Sequence, residues 1–446
     1  MKKFIKLVIC ACLCLVSLTF TACGKETKIE APNGDALVYS NGGIVVQKGD
    51  FIYYANGYKS VNDVTKSDLD RKYNLGGLYV TKSDSSRDKN GSLEYNNRLS
   101  SKLSSFEATD LNIFGNYMYY TTINTEETKK GGLQTKQLEI YRVNLNATGS
   151  KRVYRSGVDF EDDEGNRLVD FNYYEENGTV YITIFENGTL KRIACGGSIS
   201  GASVVAENVL SYKVNGNKAY FVKVNEDGNY EINIYNAVSN KVENKLALDK
   251  EDSISSIFDV KFNNVYFYAT FEDVGTEYLY RMPIESIVNE ESVRTTAVKL
   301  TATSYTSVYL LDSYSDGILV FSSSKVEIID EVNPLDNIVL QSNMATDATI
   351  IKVEGGFVYY YKDKEIKRWN YNEDTTETVY TEENTICNYA FDIVGDYLYY
   401  YTTINTNDYL VRVSISEVLE GKKSELVGRY QAEDIPETAE EVVDEE

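Results

Sequence analysis

Ile52-Tyr53-Tyr54, Met118-Tyr119-Tyr120, Val180-Tyr181-Ile182, Ala219-Tyr220-Phe221, Val265-Tyr266-Phe267, Ile318-Leu319-Val320, Val358-Tyr359-Tyr360 and Leu398-Tyr399-Tyr400 are eight copies of one short pattern. Their central positions, 53, 119, 181, 220, 266, 319, 359 and 399, are separated by 66, 62, 39, 46, 53, 40 and 40 residues. A basic period near 40, lengthened in places by insertions, is the sequence mark of a repeat architecture.

Each copy follows a pair of turn residues: Gly49-Asp50, Gly115-Asn116, Asn177-Gly178, Gly216-Asn217, Asn263-Asn264, Asp316-Gly317, Gly355-Gly356 and Gly395-Asp396. Such pairs tolerate positive φ and suit two-residue hairpins. A short apolar run precedes the turn, as in Asp110-Leu111-Asn112-Ile113-Phe114. A run of the type apolar–x–Arg–apolar comes after the Tyr motif, clearest in Ile140-Tyr141-Arg142-Val143, Leu190-Lys191-Arg192-Ile193, Leu279-Tyr280-Arg281-Met282, Ile366-Lys367-Arg368-Trp369 and Leu410-Val411-Arg412-Val413. A fourth apolar stretch, such as Arg152-Val153-Tyr154 or Glu425-Leu426-Val427, closes the unit. Four strands of about six residues with their turns fill one propeller blade.

Alternation along the second strand agrees. Phe51 and Tyr53 point to one face and Ile52 and Tyr54 to the other, yet both sets are apolar or aromatic. A sheet with one wet face would be polar at every second position, whereas a sheet held between two others is apolar on both. Helical spacing is hard to find after residue 30, and Pro32, Pro283, Pro334 and Pro436 fall outside the proposed strands. The chain is therefore expected to be an all-β propeller of four-stranded blades, about eight in number, with seven as the alternative because the sixth copy has Leu319 in place of Tyr. The units run roughly 43–103, 104–168, 169–207, 208–250, 251–303, 304–344, 345–384 and 385–430, and Ala36-Leu37-Val38-Tyr39 is expected to pair with the last blade and close the ring.

The Tyr runs together with Leu279-Tyr280-Arg281 and its relatives resemble bacterial propeller families related to the low-density-lipoprotein-receptor type, over about residues 43–430. That resemblance implies the propeller architecture and says almost nothing of function.

Residues 1–22 read as a signal peptide: Lys2, Lys3 and Lys6 precede an apolar stretch from Leu7 to Phe20, and Phe20-Thr21-Ala22-Cys23 ends it. Small residues just before a cysteine resemble a bacterial lipoprotein signal, in which cleavage precedes the cysteine and the cysteine is lipidated. An ordinary secreted protein cut near Ala22 is the alternative. Residues 23–42 then form the lipidated cysteine, linker and closing strand, 43–430 the propeller, and 431–446 an acidic, solvated tail with eight acidic residues and no basic one. The implied location is the extracytoplasmic face of the cell membrane, held by acyl chains on Cys23.

The net charge is −23, and −26 once the three lysines of the signal are removed. Phosphate backbones would be repelled, which excludes nucleic acid as a partner. Histidine is absent, so Ser-His-Asp and Cys-His catalysis and His-ligated zinc are excluded. Neither Cys195 nor Cys387 has an activating sequence neighbourhood, and their distant units favour buried free thiols over a disulfide. Among 68 acidic residues no catalytic pair stands out. The densest cluster, Asp159, Glu161, Asp162, Asp163 and Glu164, offers oxygen ligands of the kind Ca²⁺ takes, but its glycine and glutamate spacing departs from an EF-hand, and a solvated acidic loop is the simpler reading.

The recurrent arginines read as a structural contact repeated by the architecture, in preference to a ring of anion ligands. Asn225–Asn229 reads as a hairpin turn and Trp369 as packing. Specificity is expected in the two long insertions, Gly57–Gly76 and Glu126–Gln137, which lie in neighbouring units. The expected function is a non-catalytic, monomeric binding module at the cell surface for a protein, peptide or glycan, as part of an envelope assembly. A carboxylate-dependent polysaccharide-acting enzyme and a scaffold with no small ligand are the alternatives.

Overall fold

Successive hairpins stack into eight separate antiparallel sheets in the computed structural model. The structure describes residues 40–57, 77–83, 96–98, 110–127, 133–300, 308–314, 317–322, 326–330, 338–339, 349–404, 407–416 and 423–428. Blade 1 is Val45–Lys48, Phe51–Asn56, Gly77–Lys82 and Asn96–Arg98; blade 2 is Leu111–Phe114, Tyr117–Glu127, Leu133–Asn144 and Lys151–Arg155. Blade 3 is Val169–Glu176, Thr179–Glu186, Thr189–Cys195 and Ser203–Ala206; blade 4 is Val209–Asn215, Lys218–Val224, Tyr230–Asn236 and Lys241–Ala247. Blade 5 is Ser253–Lys261, Asn264–Thr270, Glu277–Pro283 and Val298–Lys299; blade 6 is Val308–Tyr314, Gly317–Ser322, Val326–Asp330 and Ile338–Val339. Blade 7 is Thr349–Glu354, Phe357–Lys362, Glu365–Asn370 and Thr375–Thr381; blade 8 is Thr385–Val394, Tyr397–Ile404, Asn407–Ser414 and Glu425–Leu426. The fold is a β-propeller, and the unit carrying Leu319 is a complete four-stranded blade.

The Tyr motif sits at one fixed place. The first residue of every second strand pairs with the last of the first strand across two turn residues, as in Lys48↔Phe51, Phe114↔Tyr117 and Val394↔Tyr397. Each motif centre lies two residues further on. Positive φ falls where the turns need it, at +57° for Gly49 and +61° and +85° for Gly355 and Gly356. Two turns stand one residue earlier than expected. Phe262 and Asn263, at φ 49° and 59°, form the fifth, and in the sixth Gly317 is already the first strand residue, paired with Tyr314.

Both faces of the second strands are buried, and all six residues of Phe51–Asn56 are covered. One face of a blade packs on each neighbour. Val46 and Tyr53 of blade 1 meet Met118 and Tyr120 of blade 2, Ile140 meets Ile182 between blades 2 and 3, and Ile234 meets Phe267 between blades 4 and 5. Ile366 meets Leu398 between blades 7 and 8. Each such side chain contributes about 1.5–3 kcal/mol by burial, so the stacked tyrosines are the core of the molecule.

The ring closes by packing of blade 8 on blade 1. Ile44, Ile52 and Tyr54 bury against Tyr399, Tyr401 and Leu410. The expected closing strand, Ala36–Tyr39, lies outside the described residues. The strand directly after it, Ser40–Gly43, joins the inner edge of blade 2 by antiparallel pairing with Leu111–Asn112, giving that blade five strands.

Two short helices, α1 (Ile284–Val288) and α2 (Val293–Thr296), interrupt blade 5 between its third and fourth strands, where the sequence offered no helical period. Pro283 is the last residue of the third strand, contrary to the expectation that it lies outside, and forms the boundary from which α1 starts. No helix among the described residues is long and apolar enough to cross a membrane.

Candidate functional site: the lower rim of blades 1 to 3

A four-stranded meander puts its turns on two faces of the ring. The turns joining strands one to two and three to four share the upper face. The turns joining strands two to three, and the links between blades, share the lower face. Both insertions singled out in the sequence fall on the lower face. The insertion Gly57–Gly76 leaves and re-enters blade 1 where Asn56 pairs with Gly77, although 58–76 lie outside the described residues. The second insertion is largely strand: the hairpin of blade 2 continues through Thr125↔Thr135 and Glu126↔Gln134 to Glu127↔Leu133. Its second and third strands are therefore 11 and 12 residues long, against 5 to 8 in the other blades.

The acidic loop leans on that hairpin. The Phe160 amide donates to the Lys136 carbonyl at 2.6 Å and the Ser156 amide to the Leu138 carbonyl at 2.9 Å. Lys136 Nζ lies 3.7 Å from a carboxylate oxygen of Asp159. Phe160, the one aromatic residue in the acidic run, is 3% exposed and enters the core shared by blades 2 and 3. Arg167 covers its ring at 4.7 Å from the centroid. An apolar anchor thus fixes a loop whose charges remain in water.

Within the loop, Asp162 is committed to the turn. Its Oδ1 accepts from the Glu164 and Asn166 amides at 3.0 and 2.7 Å, and its Oδ2 from Asn166 Nδ2 at 2.9 Å. Those donors stabilise the charged form and hold its carboxyl below the usual range. Asp159 faces Lys136, Glu161 is exposed and pairs with Arg167 only through the backbone, in an isolated β-bridge, and Asp163 is exposed. Asp159, Glu161, Asp162 and Asp163 are therefore neighbours in sequence that serve different contacts. No group of three acidic, Cys or His side chains suited to a metal ion occurs among the described residues. Cys23 lies outside them.

The recurrent arginines perform a structural task. Arg142 Nη1 donates to the Gly196 carbonyl of blade 3 at 3.4 Å, and Arg192 Nε to the Ala237 carbonyl of blade 4 at 2.8 Å. Each acceptor is the residue just after the third strand of the next blade. Stacking completes the contact: Arg142, Arg192, Arg368 and Arg412 lie over Tyr117, Tyr181, Phe357 and Tyr397 at 4.5, 4.9, 4.7 and 4.2 Å. Each guanidinium joins one blade to its neighbour or to its own second strand, which accounts for its recurrence.

Cys195 and Cys387 are buried and unpaired with each other. Burial pushes the Cys195 thiol up to about 11, only partly opposed by Arg142, so it is not a thiolate at neutral pH. Trp369 is fully buried and donates to Asp374 at 3.0 Å. Asn225–Asn229 is a turn, with Asn225 Oδ1 accepting from the amides of Asp227 and Asn229 at 3.0 Å each. The sequence reading missed Asp392 in the first strand of blade 8. Its Oδ2 accepts from the amides of Ile44 and Val45 at 2.6 and 2.9 Å, so it ties the last blade to the first.

No protein-family model matches the chain, and no curated protein does. Solved structures similar to it include the β-propeller domain of the Trilobed protease from Pyrococcus furiosus, described as having an open velcro topology, at 12% identity and a TM-score of 0.41, with 71% of this chain and 96% of that one covered. The computationally designed Ika8 protein is similar at 12% identity and a TM-score of 0.40, over 75% of this chain and 93% of that one. Dipeptidyl peptidase 4 of Porphyromonas gingivalis is similar at 8% identity and a TM-score of 0.46, and the chain spans 61% of its length and 87% of its own. At such identities the likeness concerns fold alone.

Proposed function

We propose that the chain is a non-catalytic lipoprotein, held by lipidated Cys23 on the extracytoplasmic face of the cell membrane. Its propeller binds a protein, peptide or glycan partner through the lower rim of blades 1 to 3, within an envelope assembly. The observation carrying this reading is the docking of the acidic loop on the lengthened hairpin of blade 2 through Phe160 and Lys136. A loop made only for solvation needs no buried aromatic anchor. A lengthened hairpin with an acidic loop docked on it suits recognition of an extended surface.

Site-specific photo-crosslinking on intact cells tests the proposal. A crosslinker at Asp163 on the lower rim is expected to capture a discrete partner, while one at Ser239 on the upper face of blade 4 captures none. Capture at Ser239 with none at Asp163 would refute the rim assignment.

A further inference from the structure

We infer that the propeller stands on the membrane with its upper face toward the lipid and its lower rim outward, a reading that rests on the Cys23 anchor proposed above. Two independent features carry the inference. The first is the direction of the chain. The first strand of blade 2 rises toward the turn Gly115-Asn116, and Ser40–Gly43 runs antiparallel to it. The chain therefore descends into the ring from the upper face. It reverses at Ile44 and rises again as the first strand of blade 1.

Gly43 and Ile44 are fixed in place there. A Cβ on Gly43 would lie 2.1 Å from a carboxylate oxygen of Asp392, and the Ile44 amide is bonded to that carboxylate. Sixteen residues, 24–39, separate this point from Cys23. Fully extended, sixteen residues span at most about 55 Å. A chain leaving the lower face would reach the bilayer as easily, but this one leaves from above and near the axis.

The second feature is charge. In blades 1 to 4 the described upper turns are Gly49-Asp50, Gly115-Asn116, Asn177-Gly178, Gly216-Asn217, 145–150, 196–202 and 237–240, and Asp50 is the one charged residue in them. The lower links and turns of blades 2 to 4, namely 156–168, 187–188, 207–208, 225–229 and 248–252, hold eleven acidic and two basic residues. The guanidiniums of Arg142, Arg192 and Arg412, bonded to upper-face carbonyls, add positive potential on the upper side. The described upper turns of blades 5, 7 and 8 add Glu285, Glu290, Glu291, Glu373, Asp374 and Asp396 against Arg294 and Lys423, so both faces are acidic and the lower one more strongly. An anionic bilayer repels the lower face the more, within about a Debye length of 8–10 Å. The partner surface thus points away from the membrane.

The test uses the full lipidated protein on vesicles containing anionic phospholipid, with Ser239→Cys on the upper face and Asp227→Cys on the lower face of the same blade. Cys195 and Cys387 are buried and silent. Modification by a bulky polyethylene-glycol maleimide is compared with the same variants made soluble by Cys23→Ser. Severalfold slower modification at position 239 on vesicles, with no change at 227, is expected. Equal rates at both positions, or protection at 227, would overturn the orientation while leaving the anchor intact. Failure of the protein to sediment with the vesicles would overturn the anchor, and the orientation with it.

Discussion

Arg412, in the third strand of blade 8, donates to the carbonyl of Ser83, the residue after the third strand of blade 1, at 3.2 Å. The same contact joins blade 2 to blade 3 and blade 3 to blade 4. The acceptor is itself fixed, because its amide bonds the first turn of its own blade, on the same upper face: Ser83 to the Asp50 carbonyl at 3.0 Å and Ala237 to that of Asn217 at 2.8 Å. Blade 8 thus treats blade 1 as its next neighbour. Among the described residues the first and last blades are joined by the same blade-to-blade bond, and their strands form separate sheets.

Arg412→Met keeps the buried stem and removes the guanidinium, losing bonds to Ser83 and Glu425 and the stacking on Tyr397. A charged hydrogen bond contributes about 1.5–3 kcal/mol, so a loss of roughly that size is expected in urea unfolding. Arg412→Lys is expected to restore little, since an ammonium cannot span both acceptors while stacked. Full stability in Arg412→Met would mean that the seam does not depend on this contact.

Asp392 predicts a pH dependence. Burial raises its carboxyl to about 7, against the two amides of Ile44 and Val45 that favour the charged form. The folded value lies above the unfolded one, so the folded state binds the proton more tightly. Its stabilising contribution is therefore complete below the unfolded value near 3.8 and is lost as pH rises through about 7. The effect is on the order of 4 kcal/mol at most. Asp392→Asn is expected to remove this component, leaving a flatter stability profile between pH 4 and 8. Parallel profiles for the two proteins would contradict the assignment.

Gly43→Ala places a methyl carbon 2.1 Å from the Asp392 carboxylate. A cost of about 1–3 kcal/mol is expected from overpacking, and it should shrink when combined with Asp392→Ala. A double-mutant cycle by thermal or urea unfolding reads the coupling. Additive effects would place the two groups apart.

Phe160→Ala should cost about 3 kcal/mol, as deletion of a buried aromatic does, and should release the acidic loop from the hairpin of blade 2. Asp162→Ala should leave global stability nearly unchanged and speed amide exchange of Glu164 and Asn166, whose donors lose their acceptor. Hydrogen exchange resolves the two outcomes.

The fold was legible because its signal is local and repeated. A turn able to take positive φ and a Tyr two residues into the next strand suffice to mark each blade, and even the sixth, with Leu319, obeys the spacing. The seam was not legible. Arg412 and Ser83 are 329 residues apart, and a guanidinium bonded to a backbone carbonyl leaves no trace in the acceptor's identity. Helices α1 and α2, of five and four residues, are too short to show a period. The candidate rim was half visible. Its insertions and acid run stand out as breaks in the repeat, but the join between them is made by the Phe160 amide and the Lys136 carbonyl. Phe160 amid five acids was the one clue in the sequence.

The central claim, a propeller tethered through Cys23 with its rim free for a partner, meets its most direct test in envelope fractionation of cells expressing the wild type and Cys23→Ala. The wild type is expected in the membrane fraction, extracted by detergent and resistant to high salt, and Cys23→Ala in the soluble extracytoplasmic fraction. Retention of Cys23→Ala in the membrane fraction through a high-salt wash would contradict the tether.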